Sequence, residues 1–414
     1  MKAKWYGGKQ IWMMIYTAIV FLIAGSIVGG NNNTVFPAFA ALRDWNINAI
    51  NVVSGVSAML VGIGVLVFSP MIRKLGARIV MTITMLVSAG ILVVFSYTKS
   101  LPIFLVCILL IGFISGAYDK GGAMVLTANW WPTKKGVVFG FTTMGYVAMS
   151  AVYVPTMPRL FARFGVSNGM IVIAVIVAIV GILTAIFVRN TPEEAGTYPD
   201  GDPGFHTGVG SEIDKAMREY KSPYTIKKLM SSKNNWFIAI GSFLIYMAAM
   251  NFVASTIPNL IGFGYDPGFC TKVFAIAGII AFGGSFMFGV LDQKIGTRKA
   301  YVFLFVFVIV GFVLALFMAR SAVFVWATAL VLFIAQGAIG NVVPSYVTTI
   351  YGRWDYPAAW RFIGTIFVIG CGFGIMMTGF FHNPYAMYGF DLAALIVAMI
   401  LIMCSKDTFI GKAD

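Results

Sequence analysis

Residues Gly112–Gly140 read GFISGAYDKGGAMVLTANWWPTKKGVVFG. The stretch begins as an apolar helix, carries Asp119 and Lys120 side by side, and ends in a Trp-Trp-Pro connector with two lysines. A charge at the centre of a bilayer costs about 2.5–3.5 kcal/mol on insertion scales, so charges that persist there face a protein interior or a watery cavity. The pair Asp119–Lys120 is therefore the first candidate for a functional site.

The composition excludes an ordinary soluble protein. Of the 414 residues, 59% are hydrophobic and 11% are charged, whereas a soluble domain has about 25% charged residues. The net charge of +14 comes from basic residues that punctuate apolar runs, as the positive-inside rule describes, so no nucleic-acid partner is expected. The sequence predicts a multi-pass protein of the cytoplasmic (inner) membrane, in contact with the lipid bilayer.

Runs of about 20 apolar residues are long enough to span a bilayer, and the chain contains twelve. They lie at residues 11–39, 47–70, 79–97, 102–127, 136–162, 168–188, 235–263, 269–290, 300–319, 322–350, 358–381 and 384–404. Gly29, Gly30, a polar run and Pro37 interrupt the first, which is tolerated where a helix lines a cavity. The predicted fold is all-α, with twelve transmembrane helices in two pseudo-symmetric six-helix halves.

One long polar segment, residues 190–234, separates a bundle at 1–189 from a bundle at 235–414. Its residues 191–210 are rich in Gly and Pro and predict a flexible linker. Ser211–Asp214 resembles a capping box, and residues 222–232 predict an amphipathic turn on the membrane face. The distribution of Lys and Arg places this segment and both termini in the cytoplasm.

The halves repeat each other. FPAF at residues 36–39 recurs as IPNL at 257–260, and SPMIRKLGAR at 69–78 recurs as GVLDQKIGTR at 289–298. The last segment resembles the loop motif G-x-L-a-D-r-x-G-r-k of the major facilitator superfamily, although its acid falls one place early. The resemblance implies a gating role for four residues of these loops. They are Arg73, Arg78, Asp292 and Arg298.

A second segment narrows the resemblance. Asn129–Gly145, NWWPTKKGVVFGFTTMG, resembles the W-F-P-x-K-R-G stretch of the oxalate/formate antiporter-like and monocarboxylate transporter branches. That resemblance implies a secondary transporter of a small organic anion, a carboxylate, working by alternating access with exchange for a counter-anion or with a co-transported proton. Oxalate carriers of this branch place cations in spans eight and eleven, where this chain has Ser285 and Phe367, so a monocarboxylate or a larger amphipathic acid is favoured.

In this superfamily spans one, four, seven and ten line the cavity, and Asp119 and Lys120 lie on span four. Because adjacent α-helical residues point about 100° apart, they are not expected to share one face. Either Lys120 meets the anion and Asp119 tunes it, or Asp119 is the proton-coupling carboxylate; a structural ion pair is the third interpretation. Further candidates for substrate binding, each equally explained by interhelical hydrogen bonds, are Asn31, Asn32, Asn33, Tyr146, Asn251, Ser255, Gln336 and Asn341.

Two other functions stay open. An exporter of amphipathic or cationic compounds, driven by proton antiport, would use Asp119 as its key group, and a transporter-like sensor would use the polar segment to bind a partner. The chain lacks the P-loop, GxSxG and HExxH motifs, which disfavours an enzyme. Its four cysteines lie far apart, so no metal site or cofactor is predicted, and the expected state is a monomer.

Overall fold

The computed structural model describes residues 8–32, 34–203, 216–217, 219–378, 380–381 and 383–412, and in these residues all regular secondary structure is helical. The α-helices are α1 Lys9–Val28, α2 Val35–Arg43, α3 Ile47–Leu75, α4 Ala77–Tyr97, α5 Leu101–Gly116, α6 Met124–Trp130, α7 Lys135–Phe164, α8 Val166–Phe187, α9 Ile226–Ser231, α10 Lys233–Gly262, α11 Pro267–Ile295, α12 Thr297–Ala315, α13 Ala322–Met377 and α14 Pro384–Cys404. A π-helical segment, Ala117–Ala123, joins α5 to α6 in one span.

Eleven of these helical runs are long and apolar enough to cross a membrane, and one of them covers two predicted spans. Helix α13 has 56 residues, which would make a straight helix about 84 Å long, against a hydrocarbon core of about 30 Å. It instead bends at Gly352, whose φ of 61° and ψ of −175° are not helical. The prediction of twelve spans is confirmed.

The first predicted span is broken where its polar run lies. Helix α1 ends at Val28, a 3-10 turn covers Gly30–Asn32, and α2 begins at Val35. The corresponding part of the second half, at the end of α10, is continuous. The two halves therefore differ in this element.

Elsewhere the repeat is close. Gly76 joins α3 to α4 with φ 85° and ψ 151°, and Gly296 joins α11 to α12 with φ 88° and ψ 149°. Each glycine donates its N–H to the carbonyl four residues before it. Because positive φ at a single linking residue favours glycine, the same tight turn recurs in both halves.

Several pairs of helices join the halves, and the two most extensive are α3 with α13 and α7 with α11. On the first pair, a Cβ at Gly62 would lie 2.8 Å from the Thr365 carbonyl oxygen, and on the second a Cβ at Gly140 would lie 3.2 Å from the Gly289 Cα. Backbones this close leave no room for side chains, so the contacts are tight. The division of the chain at residues 190–234 stays a prediction.

The bend in α13 predicts an effect of Gly352→Ala. The φ and ψ of Gly352 lie in a region that is essentially restricted to glycine and costs other residues about 1–3 kcal/mol, and the new Cβ would lie 2.9 Å from the Phe409 ring. We expect a fall in the melting temperature of the purified protein. Gly262→Ala is the matched control, because Gly262 has a negative φ and a Cβ added there would meet nothing within 4 Å; equal melting temperatures for the two variants would contradict the prediction.

Candidate functional site

The π segment Ala117–Ala123 carries the charged pair. All seven of its residues are buried, and Asp119 and Lys120 are each 4% exposed. A π turn bonds residue i to i+5 in place of i+4, and such turns are frequent at functional sites. The local structure therefore departs from the α-helical spacing on which the sequence prediction relied.

Asp119 and Lys120 meet the same side chain, Tyr146 of α7. The Tyr146 hydroxyl donates a hydrogen bond to Asp119 Oδ1. The Lys120 Nζ lies 3.7 Å from the centroid of the Tyr146 ring, which is a cation–π contact. Phe21 of α1 packs on the same ring at 4.9 Å between centroids. The two charges thus contact different parts of one side chain, the hydroxyl and the ring face of Tyr146, and which of them meets a substrate stays a prediction.

The Lys120 ammonium forms no ion pair with the residues that the structure describes. Among the described residues no carboxylate oxygen lies within 4.0 Å of Nζ, and Nζ makes no hydrogen bond. The Lys120 carbonyl oxygen, in contrast, accepts a hydrogen bond of 2.6 Å from Trp360 Nε1 of α13. The backbone of Lys120 is thus fixed while its charged end is left with unused donors.

Aromatic side chains of the second half line up beside this pair. Tyr356 stacks on Trp360 at 5.5 Å, Trp360 lies 6.1 Å from Phe367, and Phe367 stacks on Tyr246 at 4.6 Å. We call these four residues the aromatic ladder. Trp360, a member of this ladder, donates to the Lys120 carbonyl oxygen, so the ladder passes beside the charged pair.

The other predicted binding residues whose side chains the structure describes form hydrogen bonds away from Lys120. The Asn31 amide donates to the Ile27 carbonyl at 2.8 Å and accepts from the Tyr153 hydroxyl at 2.5 Å. The Ser255 hydroxyl donates to the Asn251 carbonyl of its own helix at 2.7 Å. The Asn31 and Ser255 side chains therefore form hydrogen bonds within the protein. The Asn32 side chain and all of Asn33 lie outside the described residues.

The amides of α10 and α13 are also engaged elsewhere. Asn251 Nδ2 donates to Asp391 at 2.9 Å, Asn341 Nδ2 donates to the Ser285 carbonyl at 2.6 Å, and Gln336 Nε2 approaches Met250 Sδ at 3.2 Å. Of the predicted substrate-binding residues whose side chains the structure describes, only Tyr146 is brought together with Lys120. A binding role for the others stays a prediction.

Of the predicted gating residues, Asp292 lies where the halves meet. A Cβ at Gly136 of α7 would lie 2.3 Å from Asp292 Oδ2, and Asp292 accepts a hydrogen bond of 2.5 Å from Ser345. It also interacts electrostatically with Lys135, the first residue of α7. This carboxylate therefore faces the start of α7 from the other half.

Arg78 and Arg298, two of the basic gating candidates, form hydrogen bonds and ion pairs within their own halves. Arg78 donates to the Ala185 carbonyl at 2.8 Å and lies 3.8 Å from Glu194. Arg298 donates to the Met403 carbonyl at 2.6 Å and lies 3.8 Å from Asp407. Arg73 lines a small cavity of about 40 Å³. These contacts of Arg78 and Arg298 do not cross between the halves, so their gating role stays a prediction.

The polar segment after α8 is built into the bundle. Asp200 is buried and accepts hydrogen bonds from the backbone N–H groups of Thr133 at 3.0 Å and Lys134 at 2.9 Å, at the start of α7. Burial raises the pKa of the Asp200 carboxyl, and its hydrogen bonds with Thr133 and Lys134 oppose that rise. A carboxylate at this place satisfies donors that a helix start leaves free.

Glu193, from the same segment, forms a buried ion pair with Arg353. Glu193 Oε1 lies 2.8 Å from Arg353 Nη2, and the two side chains are 2% and 1% exposed. Arg353 directly follows the bend at Gly352. The prediction of a flexible linker is therefore wrong for residues 191–203, because its acids bind the folded halves; the predicted capping box at Ser211–Asp214 lies outside the described residues.

Several residues of these sites were not predicted from the sequence. Trp360 and the other members of the aromatic ladder cannot be recognised from the sequence, since aromatic residues are common in apolar spans. Glu193 and Arg353 are 160 residues apart, and neither belongs to a motif. Asp391 had a usable signal, because it is a lone acid in an apolar span of the same kind as Asp119.

Two substitutions of Tyr146 separate its two contacts. Tyr146→Phe keeps the ring under Lys120 and removes the donor to Asp119, a loss of about 1–3 kcal/mol for a group left without its partner. Tyr146→Leu removes the ring as well, a further loss of about 0.5–2 kcal/mol. We expect the melting temperature to fall in that order, with the exposed Tyr97→Phe as control. Equal values for Phe and Leu at position 146 would contradict the cation–π contribution.

Comparison with known proteins agrees with this architecture. The sequence profile described as Major Facilitator Superfamily matches residues 18–356. The oxalate:formate antiporter of Oxalobacter formigenes is 24% identical over 286 residues, which cover 67% of this chain and 62% of that protein. The match thus spans less than two thirds of that relative's length.

Solved structures share the fold at low identity. A proton:xylose symporter, XylE, bound to 6-bromo-6-deoxy-D-glucose, has a TM-score of 0.72 at 14% identity, with 95% of each chain covered. The human organic anion transporter MFSD10 (TETRAN) has a TM-score of 0.70 at 13% identity, with 95% of this chain and 99% of that chain covered. With a profile that matches most of its length and a fold shared end to end, the chain belongs to the Major Facilitator Superfamily.

Proposed function

We propose that this protein is a secondary transporter of small organic anions and that Lys120 binds the substrate carboxylate. Proteins of the superfamily are membrane transporters, and such proteins work by rocking their halves around a site near the middle of the bilayer. We further propose that the protein lies in the inner membrane with both termini in the cytoplasm.

The observation that carries the proposal is the state of the Lys120 ammonium. Lys120 as a residue is 4% exposed, its Nζ contacts the Tyr146 ring, and no carboxylate oxygen lies within 4.0 Å of Nζ among the described residues. A buried cation without a close anion is costly. A substrate carboxylate would supply charge-assisted hydrogen bonds, which are about twice as strong as neutral ones.

The surroundings favour a monocarboxylate. Ser285 and Phe367 stand where the oxalate carriers of the resembled branch have cations. Ser285 donates to the Gly140 carbonyl at 2.7 Å, and Phe367 belongs to the aromatic ladder. One ammonium beside an aromatic wall suits one carboxylate with a small or apolar remainder. The related antiporter is named for oxalate and formate, of which formate has this chemistry.

The coupling follows from the same pair of charges. Asp119, held by Tyr146, either tunes Lys120 or carries a proton, and transport proceeds by exchange or with that proton. Asp292 of α11, which faces the start of α7, is our candidate for a gate that holds the halves together. In this scheme binding at Lys120 and opening at Asp292 alternate.

Ligand-induced stabilisation tests the proposal. Formate, acetate, benzoate and oxalate would be added at equal concentrations to the purified protein, with formamide, acetamide and benzamide as neutral controls. A ligand at 100 times its Kd stabilises the native state by about 2.7 kcal/mol. We expect at least one monocarboxylate to raise the melting temperature and the amides to leave it unchanged. Equal shifts for acids and amides, or none for any acid, would overturn it.

A second candidate function rests on the aromatic ladder. Flat aromatic side chains beside Asp119 would also suit an amphipathic or cationic compound, as in an exporter driven by proton antiport. Benzoate and benzylamine have similar shapes and opposite charges, so their competition in a binding assay separates the two functions. Stabilisation by benzylamine alone would favour the exporter.

A further inference from the structure

Another buried carboxyl group lies far along the chain from Lys120, in the last spanning helix. Asp391 of α14 has 0% exposure. Its Oδ2 accepts a hydrogen bond of 2.9 Å from Asn251 Nδ2 of α10, while its Oδ1 has no hydrogen-bond partner. The Oδ1 of Asn251 is likewise buried and unpartnered. Two polar oxygens are thus left unused in an otherwise packed place.

The neighbours of Asp391 are neutral. Helices α10 and α12 pack against α14. From α10 it meets the Asn251 amide, and on its own helix Tyr388, whose hydroxyl accepts from Asn259 at 2.9 Å, interacts with it electrostatically. Phe252 and Phe312 pack on Tyr388. No cation lies within 4.0 Å of Asp391 among the described residues.

These surroundings oppose a negative charge. A buried ionised carboxylate without a cation is so costly that the group takes up a proton instead. Asp119 differs, because its hydrogen bond comes from Tyr146, whose ring also contacts the Lys120 ammonium. Lone acids inside a transporter commonly belong to proton pathways.

We propose that Asp391 is a proton-binding site of the second half: it is neutral in the present conformation, and it ionises when motion of α10 against α14 admits water. On release, the O–H bond of the carboxyl group breaks and the proton passes to a water oxygen, leaving the carboxylate bonded to the Asn251 amide. The inference rests on the transport function proposed above, and it assigns the coupled proton to Asp391 instead of Asp119.

Infrared spectroscopy tests the proton site without any substrate. A neutral carboxyl group has a C=O stretching band that is separate from the bands of carboxylates. We expect this band at pH 7 in the wild-type protein and in Asp119→Asn, and its loss in Asp391→Asn, whose amide has the shape of the neutral acid. An identical carboxyl region in wild type and Asp391→Asn would overturn the proposal.

Transport tests the coupling. Uptake of radiolabelled formate into proteoliposomes would be measured with and without an inward proton gradient, beside formate exchange without a gradient. We expect the gradient to stimulate wild type, and the ratio of the two uptakes to fall to unity in Asp391→Asn with exchange preserved. A variant that keeps the stimulation overturns the coupling.

The two proposals fail in different ways. Wild-type protein that neither binds nor moves formate contradicts the proposed substrate, and the infrared band still decides the proton site. If Asp391→Asn aggregates on size exclusion, Asp391→Glu keeps a carboxyl group in the same place. A shifted C=O band in that variant supports the assignment, and an unmoved band overturns it.

Discussion

Lys120→Met is expected to abolish carboxylate-dependent transport while the protein stays folded. Truncating one partner of a buried charge pair costs about 2–5 kcal/mol of binding, so carboxylate affinity should fall about 25-fold or more. Uptake of formate into proteoliposomes and the shift of melting temperature with formate measure the two losses. Both should fall to the level of empty vesicles and of buffer.

The melting temperature without ligand makes this test specific. Replacing a buried charge by an apolar side chain of similar size is often neutral or stabilising when no close partner is left behind, and Lys120 Nζ has no carboxylate within 4.0 Å in the described residues. We therefore expect the empty variant to melt at or above the wild-type temperature. A structural ion pair with Asp119 would instead make it less stable.

Lys99→Met is the matched control for Lys120→Met. Lys99 follows the end of α4 and is exposed, so the same chemical change there removes a solvated charge. Its uptake and its response to formate should equal those of the wild type. Undiminished transport by Lys120→Met would remove Lys120 from the binding site.

Arg353→Met is expected to destabilise the protein strongly. The variant takes the guanidinium away from the buried Glu193 carboxylate, and breaking a buried ion pair in this way costs about 3–5 kcal/mol. Glu193→Gln should cost less, because the amide remains polar and can still accept from Arg353. A lower melting temperature and a higher susceptibility of the linker to protease would measure the effect.

A double variant and an exposed pair control this prediction. Glu193→Gln with Arg353→Met removes both charges, so it should be more stable than Arg353→Met alone. The Arg298–Asp407 pair has an N–O distance of 3.8 Å and side chains 39% and 42% exposed, and such pairs contribute about 0–1 kcal/mol. Arg298→Met should therefore change stability little. Equal losses from Arg353→Met and Arg298→Met would show that burial of the first pair is unimportant.

Composition and spacing predict the architecture because the bilayer restricts it. Apolar runs of sufficient length have to be helices, and the tight turns at Gly76 and Gly296 follow from a repeat that is visible in the letters. The bend at Gly352 is different, since the chain passes from one span to the next with one residue in a non-helical conformation and without a loop. Nothing in the apolar pattern indicates that the two spans are so directly connected.

The charged residues of the site are predictable, and their arrangement is not. Asp119 and Lys120 stand out because charge is rare in a span. Their common contact with Tyr146 is made from the π segment, which the apolar periodicity of the sequence does not predict. Trp360 reaches Lys120 from 240 residues away, and the acids of the linker find partners that only tertiary structure supplies. Asp391 obeys the same rule as Asp119, so the sequence does indicate it.

The hydrogen bond from Trp360 to the Lys120 carbonyl has a mechanical consequence. It ties the backbone of the proposed substrate ligand in the first half to the second half. If the halves separate on that side during transport, this bond has to break in every cycle. Substrate binding and the free energy of separating the halves would then be linked at a single residue. The affinity of Lys120 for its anion would therefore differ between the two conformations of the transporter without any change in the ligand itself.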